Sequence, residues 1–291
     1  MHVHLIDGTY ELFRFYYAVP EHLDASGIDV GAVRGVVQSV LELLEGGATH
    51  VGVATDHIVE SFRNDLWDGY KTGAGIDPVL FTQFPLLEEA LRALGVTVWA
   101  EVELEADDGL ASAAAVAIAD ERVERVLICT PDKDLAQCVQ DPKVAVLDRR
   151  KGVTLDEAGV KAKYGVPPAS IPDWLALVGD SADGFPGLPG WGAKSAAAVL
   201  SRYGHVDDIP DDANQWDVTV RGAAKLAATL AAQRDAARLF LTLATLRADG
   251  DVGTADDWRW QGPTGDFAKW ADRLGRSSLT ERANRLATKR A

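Results

Sequence analysis

The sequence predicts an α/β fold, a mostly parallel sheet with helices on both faces. Short runs rich in Val, Ile and Leu recur along the first half of the chain and alternate with longer stretches of helical spacing. Asp7, Asp56, Asp132 and Asp134 fall at or just after the ends of those runs. Parallel sheets bind ligands outside the carboxyl ends of their strands, so these acids stand where a site is expected.

His2 to Asp7 reads as the first strand, with Gly8 opening the turn. Val30 to Leu44 has apolar spacing suited to a helix and stops at Gly46-Gly47. His50 to Thr55 is a second strand running into Asp56, Val96 to Ala100 a third, Arg125 to Thr130 a fourth and Val144 to Leu147 a fifth. Leu104-Glu105-Ala106-Asp107-Asp108-Gly109 follows the third. Its carboxylates repel one another, and hard divalent cations with oxygen ligands would relieve that repulsion. Leu110 to Ala119 is apolar and alanine-rich, which suits a buried helix. Asp107 shares a helix face with Ala111 and Ala114. Asp108 lies about 100° round, near the rim of that face, and Glu105 fits best just before the helix. Compensation of the helix dipole is the alternative reading of these acids. After the fourth strand Asp132 and Asp134 point one way and Lys133 the other.

Ser170-Ile171-Pro172 marks a helix start, with Ser170 as cap and Pro172 in the first turn. Asp180 and Asp183 then lie beyond the helix end near Gly179, where the macrodipole disfavours carboxylates and a bound cation would resolve the conflict. Gly187 to Ser195 nearly imitates a Walker A loop, but Ala193 separates the last glycine from Lys194 and no strand precedes it, so a P-loop is rejected. The stretch reads as a tight hairpin between two helices, the second from Ala193 to Tyr203. Gly187, Gly190 and Gly192 allow close backbone approach, and amides at the second helix's start can take a phosphate. Such contacts hold DNA backbone without reading sequence. Residues 221–248 are expected to be helical, with most of their bases on a solvated face. Trp258, Trp260, Phe267 and Trp270 are expected to pack a C-terminal element onto the body.

The net charge of −15 argues against a broad nucleic-acid surface. Setting nine of the 44 acids aside as metal-site candidates leaves 35 against 29 bases, so nucleic-acid contact has to be local. Two cysteines are too few for a disulfide framework and fit a reducing cytoplasm. The sequence contains no apolar run of membrane-spanning length and no signal-peptide pattern, so a cytoplasmic location away from membranes is expected.

Together these motifs resemble the 5′-3′ exonuclease and flap endonuclease family, close to the 5′-nuclease domain of bacterial DNA polymerase I. The matching pieces are Leu5-Ile6-Asp7-Gly8-Thr9, Arg14, Asp56 with Phe62-Arg63, and Tyr70-Lys71. They continue through Glu105-Ala106-Asp107-Asp108, Thr130-Pro131-Asp132-Lys133-Asp134, Tyr164 to Pro168, Leu177 to Asp183, the Gly187 to Ser195 hairpin and Arg221-Gly222-Ala223. The resemblance implies a Rossmann-like, PIN-related nuclease core over 1–168 with an arch at about 71–95. It also implies a helical helix-hairpin-helix (helix-three-turn-helix) region over 169–291, where K⁺ can bridge hairpin carbonyls to phosphate. It implies a monomeric, nucleoid-associated, free-standing nuclease acting on DNA 5′ ends, flaps and RNA–DNA junctions in replication and repair, since the chain ends too soon to hold a polymerase.

The resemblance gives Asp7, Asp56, Glu105 and Asp107 to a first Mg²⁺ or Mn²⁺. Asp107, Asp132, Asp134 and Asp180 go to a second, and Asp108 and Asp183 to outer shells or a third ion. Paired ions about 3.5–4 Å apart activate water and stabilise the leaving oxygen. Lys71 and Arg63 are the candidates for polarising the scissile phosphate. Arg14, Tyr70, Lys194 and Ser195, with the hairpin glycines, are the candidates for DNA contact; Tyr70 can equally be core. Two departures stand out. The chain has His57-Ile58-Val59-Glu60 where the family usually carries bases and Ala74 where it commonly carries arginine, and the arch from Lys71 to Leu87 is poorer in cations than is usual in the family. A PIN-type ribonuclease and a non-catalytic DNA scaffold are the competing readings. A haloacid-dehalogenase-type phosphatase is discounted because Thr9 replaces its second aspartate.

Overall fold

The computed structural model describes residues 1–290. In chain order its elements are β1 (His2–Asp7), α1 (Gly8–Ala18), α2 (Gly31–Glu45), β2 (His50–Asp56), α3 (Phe62–Leu66), α4 (Pro78–Phe81), α5 (Gln83–Ala93), β3 (Thr97–Glu101), α6 (Ala106–Ala119) and β4 (Arg125–Cys129). There follow β5 (Val144–Asp148), β6 (Val153–Leu155), α7 (Glu157–Tyr164), α8 (Ile171–Val178), α9 (Ala193–Tyr203), α10 (Ala223–Ala232), α11 (Arg234–Ala244), α12 (Phe267–Arg273) and α13 (Ser278–Arg290). They fall into two compact units. One comprises Met1–Val59, Gly73–Thr130 and the residues from Ala248 onward; the other comprises Glu60–Thr72 and Pro131–Arg247.

In the first unit β3, β2, β1 and β4 lie side by side in that order, all parallel. The chain builds outward from β1 to β3 and returns to the other side of β1 as β4. The strand order therefore switches beside the end of β1, where Asp7 stands. Val3, Leu5, Ile6, Val53, Val126 and Ile128 are all fully buried, as strands covered on both faces require. On α2, Val33, Val36, Val37, Val40, Leu41 and Leu44 form one buried stripe. Each such side chain contributes roughly 1.5–3 kcal/mol relative to exposure. Gly52 of β2 is required by Trp99 of β3, whose ring a Cβ would meet at 2.1 Å. Trp99 in turn donates to the Val252 carbonyl at 3.1 Å and meets the Trp258 ring edge-on at 5.5 Å. Of the four aromatics expected to pack the C-terminal element, Trp258, Trp260 and Phe267 are buried and Trp270 is half-buried.

In the second unit β5 and β6 pair antiparallel, and α8 packs against α11. Phe185 stacks on Phe240, whose ring Trp67 meets edge-on. Three details depart from the sequence reading. The single helix expected over 221–248 is two, broken at Gln233. There Arg234 is drawn to the Val206 and Ile209 carbonyls at 2.9 and 2.8 Å. Ser170 precedes α8 as expected but makes no side-chain cap bond, because a short 3-10 turn over Pro168–Ser170 leads into the helix. β6, three residues long, and α7, buried only at Val160, are too short or too exposed to give a periodic apolar signal in the sequence.

Candidate metal centre

In the first unit the sheet-end acids are held mainly by backbone amides. Asp7 is the N-cap of α1: Tyr10 N donates to its Oδ1 at 2.8 Å and Thr130 Oγ1 to its Oδ2 at 2.9 Å. α1 can start directly after Asp7 because Gly8 has no Cβ; one would lie 2.7 Å from Ala54 O and from the Val53 and Thr55 side chains. Asp56 N donates to Thr9 Oγ1 at 2.9 Å, and Asp56 Oδ1 accepts from Ala106 N at 2.8 Å. Glu105 is the N-cap of α6, in a reciprocal capping box with Asp108. Asp108 is therefore fully buried, not near the rim as the helix geometry alone suggests, while Asp107 is half-buried.

The dipole reading thus accounts for one oxygen each of Asp7, Asp56 and Asp108. It does not account for Glu101, an acid the sequence reading misses because it ends the third strand one residue early. Burial first, then Asp108 and Asp56, push the Glu101 carboxyl up to about 7. A carboxyl raised above its ordinary value of 4.5 opposes folding once ionised, so the metal-free protein loses stability as pH rises from about 4.5 through about 7. Glu101→Gln is expected to raise the metal-free Tm by a few degrees at pH 8, solvent screening of this half-buried group keeping the gain below the full shift, and hardly at all at pH 5. Thermal melts at the two pH values check this; equal effects at both would show that the three carboxyls do not repel.

The second unit gathers Asp134, Asp180 and Asp183, with one carboxylate oxygen from each lying within 4.8 Å of the others. Asp134 opens a 3-10 turn over Asp134–Cys138, and its N–H donates to Asp132 Oδ1 at 2.9 Å. Asp180 follows α8, and its Oδ1 accepts from Ala182 N at 3.0 Å. Burial, then Asp132 and Asp183, raise the Asp134 carboxyl well above the ordinary range. Its Oδ1 is buried and accepts no hydrogen bond among the described residues. Two lysines bring positive charge to the group. Lys71 Nζ lies 3.0 Å from Asp183 Oδ1, and Lys133 pairs with Asp180 and stands 3.8 Å from Asp134 Oδ1. Burial opposes the Lys133 charge, but Asp134 and Asp180 outweigh it and hold the ammonium above its ordinary range. Strand alternation predicts the opposite direction for Lys133; the 3-10 turn replaces the extended backbone on which that rests.

Arg63 has a different place from the one its motif suggests. It is 1% exposed, and donates from Nε to Leu243 O at 2.8 Å and from Nη2 to Thr245 O at 3.2 Å. Those carbonyls close α11, whose last turn has no amides of its own to offer them. Gln137 adds a third bond there, to Ala244 O at 3.0 Å. Tyr70 is 3% exposed and belongs to the core, which disfavours base stacking. Arg14 pairs with buried Glu11 on α1 and lies over the Phe15 ring.

The hairpin forms as the glycine pattern predicts. Gly187 and Gly190 have φ of +67° and +87°, values that favour glycine. A Cβ at Gly187 would lie 2.3 Å from Gly179 N, so the turn packs on the end of α8. Gly192 precedes α9, and Ser195 Oγ accepts from Gly192 N at 3.0 Å. Lys194 is exposed in the first turn of α9. No helix among the described residues is long and apolar enough to cross a membrane.

Two family models match successive parts of the chain. The family model described as 5′-3′ exonuclease, N-terminal resolvase-like domain, matches residues 2–165, and that described as 5′-3′ exonuclease, C-terminal SAM fold, matches 166–266. DNA polymerase I of Rhizobium leguminosarum is 35% identical over 258 residues, covering 85% of this chain and 25% of that protein. The chain spans about a quarter of the length of such curated relatives. The bacteriophage T5 flap endonuclease, solved as a pseudo-enzyme-product complex with DNA and metal ions, superposes with a TM-score of 0.67 at 19% identity, covering 99% of this chain and 100% of that one. Flap endonuclease-1 from Methanococcus jannaschii gives 0.62 at 15% identity, with 99% and 93% covered. At such identities the structures show a shared fold.

Proposed function

As the chain belongs to the 5′-3′ exonuclease family, whose members hydrolyse phosphodiester bonds, we propose that it degrades DNA from 5′ ends and cuts 5′ flaps, with divalent cations, in replication and repair. The observation that carries this reading is the Asp134, Asp180 and Asp183 group, with its buried, unbonded Asp134 oxygen. Closely spaced oxygen-only donors suit a hard cation, Mg²⁺ or Mn²⁺. Asp134, Asp180 and Asp183 would hold one ion, with Asp132 acting through water. Asp7, Asp56, Glu105, Asp107 and Asp108 are the candidates in the first unit. The chemistry supplied by ions held there would be activation of water and neutralisation of charge on the scissile phosphate.

The rest falls to the chain's own groups. Lys71, poised beside Asp183, supplies positive charge to the phosphate. Lys133 serves as counter-ion to Asp180 and Asp134 in the metal-free chain. The Gly187 to Ser195 turn, with Lys194, holds duplex backbone through amides and charge, with K⁺ as a fitting bridge to its carbonyls. The T5 enzyme's complex with DNA and metal ions supports the same pairing of ligands for this chain. The reading includes a monomer working on nucleoid DNA.

Product mapping on a 5′-labelled flap tests it. Mononucleotides indicate exonuclease action and the intact flap indicates endonuclease action, each expected with Mg²⁺ or Mn²⁺ and absent with EDTA. Single-stranded RNA is expected to be a poor substrate. Failure to cleave any 5′-ended DNA with either ion would contradict the proposal.

A further inference from the structure

We infer that Glu88 is a positioning residue for Asp56, acting from α5 through the two residues that flank this aspartate. The inference rests on the reading of Asp56 as a cation ligand. Glu88 is 2% exposed and lies among the buried positions Leu87 and Leu91 of α5. A carboxylate there is costly unless its oxygens are bonded. Thr55 Oγ1 donates to Glu88 Oε1 at 3.0 Å. His57 Nδ1 lies 3.1 and 3.0 Å from Oε1 and Oε2. A carboxylate only accepts, so His57 carries its hydrogen on Nδ1. Arg92, one turn further along α5, stands 3.7 Å from Oε2.

Thr55 and His57 alternate with Asp56 along the chain. Side chains alternate across a strand, so Thr55 reaches Glu88 on the α5 face while Asp56 serves the opposite face. There its Oδ1 meets Ala106 N of α6 at 2.8 Å. The backbone is fixed as well: Asp56 N reaches Thr9 Oγ1, and His57 N reaches Glu101 O at 2.9 Å. What Glu88 adds is a side-chain clamp behind the strand end, one bond on each side of Asp56. Without it the last residues of β2 can pivot about their main-chain bonds and carry the Asp56 carboxylate with them. Partners that orient a ligating group typically govern about 10–100-fold in metal affinity when removed.

The test uses the full chain without DNA and Mn²⁺ as probe, with free Mn²⁺ counted by electron paramagnetic resonance. Glu88→Ala is expected to weaken Mn²⁺ binding about tenfold while the circular dichroism spectrum stays native. Glu88→Gln keeps an oxygen for Thr55 and His57 and is expected to recover most of the affinity. In cleavage assays Glu88→Ala should need more Mn²⁺ and reach near wild-type kcat at saturation. A folded Glu88→Ala protein that binds Mn²⁺ within twofold of wild type overturns the inference. Should that variant fail to fold, the pair Thr55→Val and His57→Ala replaces it, and unchanged binding there overturns it equally. Asp56→Asn that leaves Mn²⁺ binding unchanged overturns the ligand reading of Asp56 and the inference with it.

Discussion

Asp134→Asn is expected to abolish cleavage and at the same time to stabilise the metal-free protein. The two effects have one cause. Asp134 is buried and surrounded by Asp132, Asp180 and Asp183, and its carboxyl is held well above the ordinary range by burial first and by Asp132 and Asp183 next. An acid whose folded value is raised contributes stability at low pH that is lost as pH rises through that value. The amide removes this loss, so the variant's metal-free Tm should exceed wild type by a few degrees at pH 8 and converge with it in acid, where one kcal/mol corresponds to roughly 2–4 °C. With Mn²⁺ the order should reverse, because a ligand that binds only the folded state stabilises it by an amount that rises with the logarithm of its affinity. Loss of a ligand that helps neutralise the transition state removes several kcal/mol, on the order of a 10³-fold fall in kcat. Melts with and without Mn²⁺, beside single-turnover cleavage, check the pair. A variant that is active, or less stable without metal, would make Asp134 an ordinary structural acid.

Arg63→Ala is expected to cost about 3 kcal/mol of stability while sparing the chemistry of whatever remains folded. The guanidinium is buried, and its bonds to Leu243 O and Thr245 O close the end of α11. Truncation leaves those carbonyls without that donor and opens a cavity beside Phe62, whose ring lies 4.6 Å from the guanidinium. The measurement is a denaturant melt together with kcat at low temperature, where most of the variant is still native. An Arg63 that polarised phosphate would instead lower kcat in fully folded protein and leave the melt nearly unchanged.

The legible parts of this fold were those written in short-range physics. Asp7-Gly8 ends a buried strand and starts a helix in one step, and the close approach to Ala54 and Thr55 leaves room only for glycine. The hairpin glycines carry the positive φ values that their spacing suggests. The family resemblance rests on these local signatures, and the matches over 2–165 and 166–266 follow it. Illegible were features that depend on residues distant in sequence. Arg63 has its partners about 180 positions away, and Glu88 acts on β2 from 31 and 33 positions off. Lys133 departs from its expected direction because a 3-10 turn begins at Asp134, where strand alternation assumes extended chain. Asp108 departs from its angular position on α6 because its bond from Glu105 N draws it inward.

Anomalous diffraction from a crystal soaked in Mn²⁺ tests most directly whether these acids are gathered to hold divalent cations. A peak at coordination distance, about 2.1 Å, from oxygens of Asp134 and Asp180 is predicted, with Lys133 withdrawn from Asp180. A second peak is predicted against the acids of the first unit. No peak at either group, with Lys133 still paired to Asp180, would contradict it.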